Sequence, residues 1–76
     1  MAAKKSSANQ ALGRAIRAAR QERGLRQESL AARAVLDRSY FGAIERGEFN
    51  VSPDTIIKIA AGLGMRPGDL LRRAGL

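Results

Sequence analysis

At 76 residues the chain makes one domain, near the small end for a self-sufficient core. It has no cysteine and no histidine, which excludes disulfides, thiolate metal sites, a cysteine nucleophile and the commonest general base. Fourteen Lys and Arg against seven Asp and Glu leave a net charge of +7, which points to a polyanion as partner, most simply nucleic acid.

The acidic residues are scattered without ligand spacing. The expectation is therefore no enzyme, no catalytic residue, no metal and no cofactor. The longest apolar runs are far too short to span a bilayer. The opening MAAKKSSANQ has two lysines but no apolar segment behind them, unlike a signal peptide. Together these features predict a cytoplasmic protein with no membrane partner.

Residues 1–8 are small, polar and basic without periodicity, and read as a flexible basic arm; residues 9–74 read as the folded domain. Lys4 and Lys5 either track a phosphate backbone or only solubilise the arm. Asn9 is placed to cap a first helix running to about Arg23. Leu12, Ala15, Ile16 and Ala19 recur at i, i+3, i+4 and i+7, one apolar stripe. Arg14, Arg17 and Arg23 lie off that stripe, solvated or near phosphate. Gly24 ends the helix as a C′ glycine.

Two short helices follow, about 27–34 and 38–46, separated by a tight turn at 35–37. Leu30, Leu36, Phe41 and Ile44 face a shared core, and Ala31 is small where two helices cross. Asp37 is a good N-cap for the second helix. This is the pattern of a helix-turn-helix. The second helix exposes Arg38, Ser39, Gly42, Ala43 and Arg46, mostly small or cationic groups that suit a DNA groove. Arg38 can fork onto guanine O6 and N7, and Ala43 can touch a thymine methyl. Arg46, at the helix end, is favoured there by the dipole and lies near phosphate. Tyr40 reaches a phosphate through its hydroxyl or covers the core edge with its ring.

Gly47 stops the second helix. Phe49, in the following loop, is expected to fold back onto the core. Ser52-Pro53 is a strong helix start, an N-cap followed by proline at N1. Ile56, Ile57, Ile59, Ala60 and Leu63 line the helix that follows, and Gly64 ends it. Pro67 opens a short last helix carrying Leu70 and Leu71. The fold class is all-α, with five helices. Met65, Leu70 and Leu71 exceed what one small core needs and are assigned to a two-fold dimer patch.

The chain resembles the lambda-repressor-like, Xre-type helix-turn-helix family. The matching pieces are LRQESLAARA (25–34), LDRSYFGAIERG (36–47) and SPDTIIKIAAGLGMRPGDLL (52–71). Within that family, LDRSYFGAIER is most similar to the controller proteins of restriction–modification systems. The resemblance implies a sequence-specific transcriptional regulator that binds double-stranded DNA as a homodimer on an inverted repeat, with RNA polymerase as a further partner and no small-molecule ligand. It implies base reading by Arg38, Ser39 and Ala43, and phosphate contacts by Gln27, Tyr40, Arg46, Asn50 and Arg17. It also implies a structural ion pair between Arg20 and Glu45. Phage- or plasmid-type repressors and antitoxins share the pattern, and the same motif also serves as a protein-interaction module without a DNA role.

The chain departs from the family at two positions. Val35 stands where glycine is usual and the backbone takes positive φ, a strain of about 1–2 kcal/mol for a β-branched residue. Arg26 stands where Ser or Thr usually caps the first helix of the motif, a loss of about 1 kcal/mol.

Overall fold

The structure is a computed structural model, and it describes residues 6–76. These form five α-helices and no strand: α1 Ser7–Glu22, α2 Gln27–Arg33, α3 Arg38–Glu45, α4 Pro53–Leu63 and α5 Pro67–Arg73. The first helix begins earlier than its periodicity suggested. Ser6 is the N-cap, in extended backbone, and its hydroxyl accepts from the Asn9 N–H at 3.1 Å. The expected Asn9 cap is therefore incorrect. A serine three residues upstream offers the same chemistry, and the small Ser7 and Ala8 extend the helix without an apolar signal. Residues 6–8 thus belong to the domain, while Lys4 and Lys5 lie outside the described residues.

The helices close around one core. Leu12, Ala15, Ile16 and Ala19 of α1 meet Leu30 and Ala31 of α2, Phe41 and Ile44 of α3, Ile59, Ala60 and Leu63 of α4, and Leu70 of α5. Phe41, Ile16, Leu30, Ile44, Ile59 and Leu70 are the largest fully buried side chains. Fully burying each of these contributes about 1.5–3 kcal/mol. Leu70 is therefore core and not dimer surface. Its short helix folds back on α1 and α4, closing an end the sequence left open. Ile57, expected inside, is 52% exposed.

Close approach of α1 to α3 depends on Gly13. A Cβ there would lie 2.4 Å from the Glu45 carbonyl oxygen and 2.7 Å from that of Ile44. Backbone cannot retreat from such a clash, so this crossing admits no side chain. Peripheral cations tie the outer helices together. Arg23, expected to be solvated or near phosphate, donates from Nε to the Leu63 carbonyl at 2.6 Å and from Nη1 to the Ala19 carbonyl at 2.9 Å. It thus satisfies a carbonyl at the end of α4 that has no helical donor. Arg73 of α5 donates to both carboxylate oxygens of Glu22 on α1.

The turn after α2 is a Schellman loop. The Leu36 N–H donates to the Ala31 carbonyl at 2.8 Å and the Val35 N–H to the Ala32 carbonyl at 3.1 Å. The same bond pair closes α1 at Gly24 and α3 at Gly47, each in the left-handed region. Val35 occupies that region at φ 56°, the one non-glycine residue to do so among the described residues, and its side chain is 82% exposed. Arg26, at the N-cap of α2, makes no side-chain capping bond.

Candidate nucleic-acid interface

The sequence fixes α3 at its start. Asp37 accepts the Tyr40 N–H at 3.1 Å, a standard N-cap that replaces one missing helical acceptor. Phe41 and Ile44 then anchor one face in the core, which turns Arg38 and Ser39 outward, both exposed. These two lie on the first turn of α3, where side chains project ahead of the helix. Cationic and hydroxyl donors at that place match the acceptor-rich edges of a DNA major groove.

The far end of α3 is held by a buried ion pair. Arg20 of α1 donates from Nε to Glu45 Oε2 at 2.7 Å and from Nη2 to Oε1 at 3.0 Å. Its Nη1 donates to the Leu25 carbonyl at 2.9 Å. Gln27, the first residue of α2, donates from Nε2 to Glu45 Oε1 at 2.9 Å. One carboxylate therefore joins α1, α2 and α3. Arg20 is 8% exposed and Glu45 7%, so the pair is screened little by solvent. The fork geometry satisfies both oxygens, the condition under which a buried pair tolerates its desolvation.

Between these two ends Gly42, expected to be exposed, is buried. Gly42 has no side chain, and a Cβ there would lie 3.3 Å from Arg46 Nη1 and 3.7 Å from Gln27 Oε1. The Arg46 guanidinium thus folds back over α3, against Gly42. It is held from the other side by Glu48, with Nε to Oε2 at 2.8 Å and Nη2 to Oε1 at 3.2 Å. Those hydrogen bonds and the Glu48 charge raise the Arg46 pKa. Neither Gly42 as a seat nor Glu48 as a holder was expected from the sequence. The available signal was an acid two residues beyond the arginine, across the helix-stopping Gly47.

The remaining expected contacts divide. Ala43 is 5% exposed, so its methyl is not offered to a groove. It lies on the flank where the loop after α3 turns back, and its carbonyl accepts the Glu48 N–H at 3.0 Å. Tyr40 packs its ring on the core edge, and Phe49 rests on that ring, centroids 5.7 Å apart, instead of on the core cluster. Asn50 is exposed and its Oδ1 accepts from Asn9 Nδ2 at 2.8 Å, which ties the loop to the start of α1. Arg17 is exposed on α1. Gln27 is half-buried between Glu45 and Gly42. At the other end of the molecule Met65 and Leu71 are half-buried and pack on the core, and Leu76 is 56% exposed. Among the described residues no cluster of acids could hold a metal ion, and no helix is long and apolar enough to cross a membrane.

Two short crossed helices, the second capped, anchored and carrying an outward row of donors, define a helix-turn-helix domain. The chain belongs to the Xre-type helix-turn-helix family, whose profile matches residues 16–70. It is similar to control protein C.MunI of Mycoplasma sp, 50% identical over 46 residues, covering 60% of this chain and 62% of that protein. It is likewise similar to control protein C.BamHI of Bacillus amyloliquefaciens, 53% identical over 45 residues, covering 59% and 56%. The aligned part thus spans less than two thirds of each of these relatives. Among solved structures, the restriction-modification controller protein C.AhdI from Aeromonas hydrophila superposes with a TM-score of 0.80 at 44% identity, covering 82% of this chain and 94% of that one.

Proposed function

We propose that the protein is a sequence-specific double-stranded-DNA-binding transcriptional regulator, a controller of a restriction–modification operon. The observation that carries this reading is the outward side of α3, where Arg38 and Ser39 are exposed on the first turn and Arg46 at the far end, on a helix locked at both ends. Likeness to three controller proteins supports the subfamily. In this reading Arg38 and Ser39 read base edges, and Gln27, Arg46, Asn50 and Arg17 set register on the phosphates. The chain acts as a homodimer on an inverted repeat, with half-sites about one helical turn apart. The apolar end at Met65, Leu71 and Leu76 supplies the dimer surface. RNA polymerase is the further partner where the bound dimer activates, and the site of action is the cytoplasm. The protein is not an enzyme in this reading.

The test is selection of bound duplexes from random DNA, with wild type and Arg38→Ala in parallel. A palindromic consensus that loses a guanine preference in the variant is expected. Recovery of no consensus refutes sequence reading and leaves a non-specific DNA binder or a protein-interaction module.

A further inference from the structure

The face proposed to read DNA carries its own anion. Glu48 sits in the loop after α3 and grips Arg46 through two parallel hydrogen bonds, with 26% of its side chain exposed. The pair spans the left-handed Gly47, whose turn folds the loop back beside the helix end. The grip uses Nε and one N–H of Nη2, the edge of the guanidinium that would otherwise fork onto a phosphate. It leaves Nη1 against the buried Gly42, one turn back along α3. Arg46 is 58% exposed, so the pair is solvent-screened and weak enough to be exchanged.

We propose that Glu48 is a specificity-determining residue, a resident competitor that withholds the Arg46 fork from any duplex that does not seat α3 fully in its groove. This deepens the DNA-binding reading and rests on it. On a random duplex the protein is held by diffuse phosphate attraction alone. Arg46 then stays with Glu48, and the contact it could make is not counted. On the right sequence, base contacts at Arg38 and Ser39 bring the backbone close at fixed geometry. A phosphate then takes the fork with the same bidentate fit as the carboxylate. Affinity for the correct site is preserved while affinity for other DNA is lowered, so the ratio between the two rises.

Gly42 fits this role. A Cβ there would lie 3.3 Å from Arg46 Nη1, so the guanidinium would have to give by a few tenths of an ångström, and a longer side chain would take more of its place. The absence of a side chain lets one cation lie flat along α3, reachable by Glu48 on one side and by DNA on the other.

The experiment is a double-mutant cycle with Glu48→Gln and Arg46→Ala, measuring binding to a random-sequence duplex and to the selected consensus across a salt series. Glutamine keeps the size and one acceptor but removes the charge. Glu48→Gln is expected to tighten random-duplex binding about fivefold per subunit, the worth of one released Arg46 guanidinium sitting a few ångströms from a phosphate in water. The salt slope is expected to steepen by about one ion per subunit, because one more phosphate is engaged. Consensus binding should change less than twofold, so discrimination falls. In the Arg46→Ala background Glu48→Gln should have less than a twofold effect on either DNA. An equal gain with and without Arg46 overturns the proposal, since Glu48 would then act as a plain surface charge. Weaker random-duplex binding by Glu48→Gln overturns it as well. Failure of the wild type to bind any duplex refutes the DNA-binding reading itself, a result separate from these two.

Discussion

Val35→Gly should make the protein more stable. Val35 lies at φ 56° in the Schellman loop between α2 and α3. The left-handed region costs an L-residue about 1–2 kcal/mol, because Cβ crowds the following carbonyl. Glycine removes that cost but frees the unfolded chain, which offsets about 0.4–1 kcal/mol. Lost apolar burial is small, since the side chain is 82% exposed, and accounts for a few tenths of a kcal/mol. The net gain is about 0.5–1 kcal/mol. In a domain of this size each kcal/mol moves Tm by about 4–8 °C, so a rise of about 2–8 °C is expected. Thermal and urea unfolding followed by circular dichroism measure it. Val35→Ala and Val35→Asn separate the causes. Alanine keeps Cβ and the strain, and should gain little; asparagine tolerates the left-handed region and should gain part of the glycine effect. A Tm for Val35→Gly equal to or below wild type, at unchanged urea m-value, refutes the reasoning.

Two further outcomes follow from the ion pairs. Glu45→Leu alone leaves Arg20 buried and uncompensated and should cost about 3–5 kcal/mol, whereas Arg20→Met with Glu45→Leu should recover most of that loss; equal destabilisation by both in urea would show that the charges are not the cause. On the surface, the hydrogen bond from Arg73 holds the Glu22 carboxyl below its ordinary 4.5 against an opposing desolvation, with the charges of Arg73 and Arg23 adding to it. A depressed carboxylate contributes stability above its unfolded pKa and loses it as pH falls through its folded pKa. The stability gap between wild type and Arg73→Ala should therefore narrow from pH 6 to pH 3; a constant gap across that range would assign the effect of Arg73 to packing alone.

Much of the fold was legible because helix boundaries were written in local chemistry. Asp37, Ser52-Pro53 and Gly24 mark starts and stops with single residues, and the α1 stripe carries the helical period. Errors arose where two environments share one residue type. Leu70 reads the same whether it faces the core or a partner, and only the return of α5 onto α1 decides. Ala43 is small enough for a groove or for a packed flank, and the loop after α3 settles which. Ile57 follows the apolar composition of α4 but falls on its outer side. Arg23 looked like an ordinary surface cation because its partner carbonyl is 40 residues away. The Arg46–Glu48 pair was hidden for a different reason. Its two members are near in sequence, but only the reversal at Gly47 brings the carboxylate alongside the guanidinium.

The junction at Glu45 has a mechanical consequence. Because one carboxylate accepts from α1 and α2 at once, α3 cannot tilt or slide without breaking bonds to two other helices in a site nearly closed to water. The helix is rigid with the body. In the proposed dimer on an inverted repeat, a duplex whose half-sites are spaced or twisted a little differently would be met by moving one whole subunit against the other. Tolerance to operator spacing in that reading is a property of the seam between subunits and of the bend of the DNA, and variants that loosen that seam should broaden spacing preference without touching base preference.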